Sequence, residues 1–221
     1  MISTCCLNPC LDKTVEMGEF RLGATNRIYA SRVDPGGKGV NVARTLATLG
    51  METTCLCALP EKGSDEFLQL LEGSGVSMRT VPTPGTIRTN TKVHDLKNGT
   101  VTELNESGVP LSSRAAEAFH EALLAMKDEA EMHVLSGSLP PKASPATYYN
   151  LISELAPAPV FLDTSGEALL EGMKARPMFV KPNLSRQSER RRVGRQLRPR
   201  RPPVPSGRSF GTKPRWKRTA S

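Results

Sequence analysis

Between residues 132 and 180, short apolar runs alternate with helical patterns, and that alternation restricts the chain to very few folds. Residues 132–135, 160–162 and 178–180 are apolar and too short for helices. Residues 147–155 and 167–173, between them, place apolar side chains at helical spacing. Strand, helix, strand in this order predicts parallel strands joined by right-handed crossovers, with helices over the sheet. The first half carries similar parts. Residues 2–7 and 53–59 predict buried strands. A helix follows Gly36-Gly37-Lys38-Gly39, marked by Val40, Val42, Ala43, Leu46, Ala47 and Leu49, and closes at Gly50, and a shorter one spans 65–71 and stops at Gly73. Ser113 is expected to cap a helix carrying Ala115, Phe119, Leu123 and Met126.

Four polar stretches do not fit inside such a sheet. Residues 14–22 and 27–33 flank a link at Gly23, and residues 88–94 and 100–104 flank Asn98-Gly99, a pair that favours a tight hairpin turn. They predict a second, smaller β-sheet, a lid with strands at about 14–34 and 87–105. The expected fold class is therefore α/β: a Rossmann-like parallel sheet flanked by helices, with a small β-sheet lid.

After Ser185 the pattern stops. The 36 residues from Arg186 to Ser221 hold 13 Lys or Arg, one acid and five prolines, for a local charge of about +12. The preceding 185 residues carry about −4, so the formal net charge of +8 belongs to the tail. Charge so distributed argues against nucleic acid as the partner of the folded part. Residues 1–185 are read as one domain, and 186–221 as a basic Pro/Arg-rich disordered tail that cannot bury enough surface to offset its ordering entropy. Its composition is that of a GC-rich gene read out of frame, so the domain is expected to be C-terminally truncated. No apolar run approaches membrane-spanning length, and the N-terminus lacks a signal-peptide pattern. The five cysteines include no C-x-x-C pair and predict buried thiols in a reducing, cytoplasmic compartment.

Candidate binding residues sit where strands end. Gly36-Gly37-Lys38-Gly39 opens a helix, whose exposed N–H groups and partial positive charge suit an anion; a turn with a surface lysine is the plain alternative. It is not a P-loop, because Gly39 stands where Ser or Thr should follow the lysine. Asp12, just past the first strand, could accept hydrogen bonds from sugar hydroxyls or simply stabilise a turn. Arg88, Asn90 and Lys92 alternate along a lid strand and so face one way. Ser136-Gly137-Ser138, Asp163-Thr164-Ser165-Gly166 and Lys181-Pro182-Asn183 each end a strand, which points to a shared ligand edge.

The stretches LNPCLDKTVE, GGKGVNVARTLATLG, IRTNTK, LNESG, LSGSLP, LDTSGEAL and VKPNL follow one another from residue 7 to about 184. Jointly they resemble the PfkB (ribokinase-like) sugar kinases, within them the 1-phosphofructokinase and tagatose-6-phosphate kinase branch. The resemblance implies a ribokinase-like body and ATP-dependent phosphorylation of a sugar phosphate, with Mg²⁺ as cofactor. LNPCLDKTVE and DTSGEAL favour fructose 1-phosphate, giving fructose 1,6-bisphosphate; tagatose 6-phosphate is the other substrate the branch offers. It implies that Asp12 and Asn41 hold sugar hydroxyls and that Gly37, Lys38 and Arg88 grip the substrate phosphate, with Asn90 and Ser138 nearby. Lys181 and Asn183 would lie toward the nucleotide. Relatives of this fold pair through the lid sheet, so an exposed lid edge could pair into a homodimer, and the sequence leaves the oligomeric state open. Two departures stand out. The family's N-x-x-E glutamate, which helps to order magnesium, is replaced by Arg186, and the G-A-G-D motif that carries the catalytic aspartate occurs nowhere in the chain. The 221 residues are therefore expected to lack catalysis, and a phosphosugar-binding remnant without turnover is the second reading.

Overall fold

Every residue of strand β1 (Ile2–Cys6) after the first is buried, as happens to a strand at the centre of a sheet with both faces covered. This computed structural model describes residues 1–181. Asn183, Arg186 and the expected tail lie outside the described residues. Strand β1 pairs in parallel with β4 (Thr53–Lys62) on one side and with β8 (Met132–Ser136) on the other. Beyond them lie β5 (Ser77–Thr86), β9 (Val160–Asp163) and β10 (Phe179–Val180), giving a six-stranded sheet in the order β10-β9-β8-β1-β4-β5. All its pairings are parallel, and helices flank it as the alternation predicts.

Side-chain alternation along β1 and β4 divides the core in two. Cys5, Leu7, Leu56 and Ala58 pack with residues of α3 (Ser113–Ala125), α4 (Thr147–Leu155) and α5 (Gly166–Gly172), among them Phe119, Leu123, Tyr148, Leu155 and Leu169. On the other face Cys6, Cys55, Cys57 and Leu59 pack with Val40 and Ala43 of α1 (Lys38–Thr48) and Phe67 of α2 (Ser64–Gln69). Each large apolar side chain removed from water in these layers contributes about 1.5–3 kcal/mol.

The second sheet has the order β3-β2-β6-β7, built from β2 (Cys10–Met17), β3 (Ala30–Gly36), β6 (Arg88–Asp95) and β7 (Thr100–Asn105). β2 runs antiparallel to β3 and parallel to β6, and β6 with β7 forms the expected hairpin. Val15, Met17 and Val93, with Phe20 against them, give it a small core of its own. Its first two strands overlap the predicted 14–22 and 27–33 but are displaced outward, to 10–17 and 30–36. The Asn26 side chain bonds both the N–H and the carbonyl of Arg21, each at 2.8 Å. That satisfies backbone groups a strand would have paired and leaves 18–29 as a loop. Strand β5 was not expected, because Pro82 and Pro84 interrupt it; it lies at the sheet edge, where a strand needs partners on one side only. The cap of α3 is Ser112 rather than Ser113: its Oγ accepts from the Ala115 N–H at 3.2 Å. Among the described residues, no helix is long and apolar enough to cross a membrane.

His133 of β8 is fully buried, with Nδ1 2.6 Å from the Ser3 hydroxyl. Burial pulls its pKa below the ordinary histidine value, only partly opposed by the Lys127 carbonyl. The unfolded chain then binds the proton more readily than the folded one. The stability that neutral His133 contributes is thus complete above a pH of about 6.5 and is lost as pH falls from there through the folded-state pKa. Urea midpoints of the wild type should fall between pH 7 and 5, and His133→Gln should make that fall shallower.

Candidate functional site

Successive crossovers run outward from β1 in both directions, so the loops leaving the carboxyl ends of β1 and β8 diverge, and a crevice opens between them. A cavity of about 380 Å³ lies there, bounded below by Cys6, Asn8, Ser136 and Gly137 and above by residues of the lid.

Helix α1 reaches this cavity because two glycines let it. Gly37 precedes its first turn at φ 106°, and a Cβ there would stand 2.6 Å from the Cys6 sulfur. A Cβ on Gly39 would lie 2.2 Å from the carbonyl oxygen of Cys5. The helix start therefore rests directly on the end of β1, with no acidic side chain in its first turn and no side chain capping it. The Cys6 sulfur accepts from the Cys57 thiol and from the N–H groups of Val40 and Asn8, which together hold its pKa below the ordinary thiol value in spite of burial. Cys10, also bordering the cavity, is pushed up to about 12, chiefly by burial and then by the Asp12 charge. It is thus a neutral thiol at neutral pH, donating to Asp12 Oδ1 at 3.4 Å.

Asp12 lies within β2, not in a turn after β1, and register places it beside Asn90 of β6, which in turn faces Asn105 of β7. Asn90 Nδ2 donates to Asp12 Oδ1 at 3.1 Å. Arg88, two register pairs nearer the main sheet, is held on several sides. Its Nε and Nη2 donate to the Asn8 carbonyl at 3.3 and 3.0 Å, and its Nη1 donates to Asn90 Oδ1 at 3.1 Å and the Glu106 carbonyl at 3.0 Å. Asn8 closes the frame: its amide donates to the Ser107 carbonyl at 3.2 Å and to Ser138 Oγ at 3.3 Å. These bonds fasten the lid and the loop after β7 to the ends of β1 and β8.

At the other end of the cavity Lys38 Nζ donates to Asp163 Oδ1 at 3.1 Å, and Lys181 Nζ stands 3.7 Å from Asp163 Oδ2. One carboxylate at the end of β9 thus lies between two ammonium groups. Asp163 is in register with Ser136 of β8.

Asp12, Gly37, Lys38, Asn41, Arg88, Asn90 and Ser138 all line this one cavity. Lys181 does not line it and reaches it only through Asp163. Sequence reasoning placed Asp163 at the shared ligand edge without giving it a role of its own, and it did not single out Asn8, Glu103 or Asn105. Asp163 had a legible signal, a carboxylate at a strand's carboxyl end. Asn8 had none, because its role depends on loops distant in sequence. The arrangement sets the amides of Asn41 and Asn90 and the Asp12 carboxylate among three cations, Lys38, Arg88 and Lys92, the chemistry of a small polyhydroxylated anion. Among the described residues no group of three His, Cys, Asp or Glu could hold a metal ion.

Residues 7–187 match the family model described as pfkB family carbohydrate kinase. The chain is 33% identical over 184 residues to the 1-phosphofructokinase of Vibrio cholerae, covering 82% of this chain and 58% of that protein. It is 35% identical over 187 residues to the enzyme of the same name from Rhodobacter capsulatus, covering 83% and 59%. The chain thus spans less than two thirds of the length of these curated relatives. Among solved structures, phosphofructokinase-2 from Escherichia coli in its tetrameric inhibited form is similar at a TM-score of 0.78 and 27% identity, over 89% of this chain and 69% of that one. A protein described as a possible 1-phosphofructokinase from Thermotoga maritima has the same fold, with a TM-score of 0.80 at 22% identity, over 89% and 68%.

The seat of α1 gives a direct test. Because a Cβ at Gly39 would overlap backbone, Gly39→Ala should lower the free energy of unfolding by about 3 kcal/mol, the upper part of the overpacking range. Ala at the exposed Thr48 of the same helix should change it by less than about 0.5 kcal/mol. Urea denaturation measures both.

Proposed function

The chain belongs to the pfkB family of carbohydrate kinases, and from that premise we propose that its cavity is the phosphosugar site of an ATP-dependent kinase, with fructose 1-phosphate as substrate and fructose 1,6-bisphosphate as product. One observation carries the reading: seven residues drawn from four separate motifs border the same cavity of about 380 Å³. The name shared by the curated relatives supports the choice of sugar phosphate.

In this reading Asp12 and Asn41 accept and donate to sugar hydroxyls, with Asn90 orienting the Asp12 carboxylate through its 3.1 Å bond. Gly37 permits the close approach of ligand to the first turn of α1. Lys38, Arg88 and Ser138 add polar contacts around the ligand, and Arg88 also fixes the lid against Asn8. The reaction of the family transfers the γ-phosphoryl group of ATP. The sugar hydroxyl attacks phosphorus as its proton passes to a general base, the G-A-G-D aspartate in the family, and ADP leaves with the bridging oxygen. Lys181, Asn183 and the ATP side of the site lie at or beyond the end of the described residues. For Mg²⁺, the described residues supply no fitting set of carboxylates, and no step is assigned to it. A G-A-G-D aspartate does not occur in these 221 residues, and Arg186 stands at the family's glutamate position. We therefore infer binding without turnover for this chain taken by itself. The lid edges β3 and β7 support self-association through the lid.

Titration calorimetry of the 221-residue chain tests this. Fructose 1-phosphate should bind more tightly than fructose 6-phosphate or tagatose 6-phosphate, and a coupled assay with ATP should detect no product. Asp12→Ala should weaken binding by about tenfold, the loss expected for a charged hydrogen-bond partner. Absence of any phosphosugar binding would refute the assignment, and steady turnover would refute the inferred lack of catalysis.

A further inference from the structure

Three cations border the cavity: Lys38, Arg88 and Lys92. Two of them are already engaged. Lys38 is paired with Asp163 at 3.1 Å. Arg88 has five N–H groups, and four hydrogen bonds commit it to the Asn8 and Glu106 carbonyls and to Asn90. Lys92 makes no hydrogen bond and no ion pair among the described residues, although it is partly buried. Its cross-strand neighbours are Thr14 on β2 and Glu103 on β7. Glu103 also lines the cavity, but its carboxylate is turned to the Asn105 amide at 3.5 Å and does not pair with Lys92.

A partly buried ammonium without a partner, at the wall of a polar cavity, is set up to bind an anion. Its place along β6 adds direction. Lys92 lies on the same face as Asn90, two residues or about 7 Å further along the strand, and four residues or about 13 Å beyond Arg88. It therefore stands toward the outer part of the lid, away from the ends of the main strands where Lys38 and Asp163 meet.

We infer that Lys92 is a specificity-determining contact: it takes the phosphate already present on the sugar at the lid end of the cavity, so that the free terminal hydroxyl of the ligand is directed toward Lys38 and Asp163. The inference rests on the phosphosugar reading above and adds to it. Charge on Lys92 selects phosphorylated over free sugars, and its distance from Lys38 selects ligands whose phosphate and acceptor hydroxyl lie at opposite ends. Fructose 1-phosphate has that form, with its phosphate on C1 and its free hydroxyl on C6.

The test is calorimetric binding of fructose 1-phosphate to the full chain and to Lys92→Ala and Lys92→Arg, at two salt concentrations. Lys92→Ala should weaken binding at least about tenfold and make it less sensitive to salt. Lys92→Arg should stay within about threefold of the wild type, because it keeps the charge. Thermal unfolding should be unchanged in both variants, since Lys92 has no partner to lose. Wild-type affinity in Lys92→Ala would overturn this inference while leaving the phosphosugar assignment standing. So would equal losses in Ala and Arg, which would make shape rather than charge the cause. Failure of the wild type itself to bind would remove the assignment and this inference together.

Discussion

The contact on which the rest depends is that between the first turn of α1 and the end of β1. A methyl group at Gly39 would be 2.2 Å from the Cys5 carbonyl oxygen, so the helix sits as close to the strand as backbone allows. From that seat follow the direction of Lys38 toward Asp163, the N–H of Val40 at the Cys6 sulfur, and the floor of the cavity. A side chain at either glycine would lift α1 away and widen the crevice. The need for glycine is therefore steric as well as conformational, and it is the reason that a polar pocket can be built upon an otherwise apolar sheet.

A second frame holds the roof. Asn8 and Arg88 are 80 residues apart in sequence, yet the guanidinium is bonded twice to the Asn8 carbonyl. The same asparagine reaches the loop after β7 and the loop after β8. Four segments converge upon one residue, Arg88 at its main-chain carbonyl and the two loops at its side-chain amide. Replacing the side-chain amide takes a donor from the Ser107 carbonyl and the Ser138 hydroxyl, and each buried group left unpaired costs about 1–3 kcal/mol. The arginine here serves the architecture of the pocket more visibly than it serves charge, which shifts the electrostatic task to a lysine further out.

Much of this was legible in the residues. The parallel sheet followed from alternating patterns at 132–180, and the hairpin of the lid from Asn98-Gly99. What stayed hidden shares a physical cause. Strand β5 carries two prolines that only an edge position tolerates, and edge position is a property of the whole sheet. The shift of β2 and β3 toward residue 10 and residue 36 depends on Asn26 satisfying the backbone of Arg21, a local bond with no periodic signature. In the cavity, the motif residues were found because strand ends mark ligand sites. Asn8 and Asp163 gain their roles from loops and strands more than 90 residues away, and no local pattern encodes such meetings.

The parallel pairing of β2 with β6 sets a time order upon folding. Asp12 meets Asn90 across a gap of 78 residues, and a parallel pair cannot close through a short turn. The chain between them must first pass through β3, α1, β4, α2 and β5, so four of its five intervening elements belong to other contacts. Closing a loop of that length is entropically unfavourable until those elements have already shortened it. The parallel pair of the lid then closes upon the β1-β4-β5 part of the main sheet, the elements that lie between its two strands. A nascent or stressed chain would lose its roof before its floor, and a ligand clasped between the two would act as a clamp on the last step.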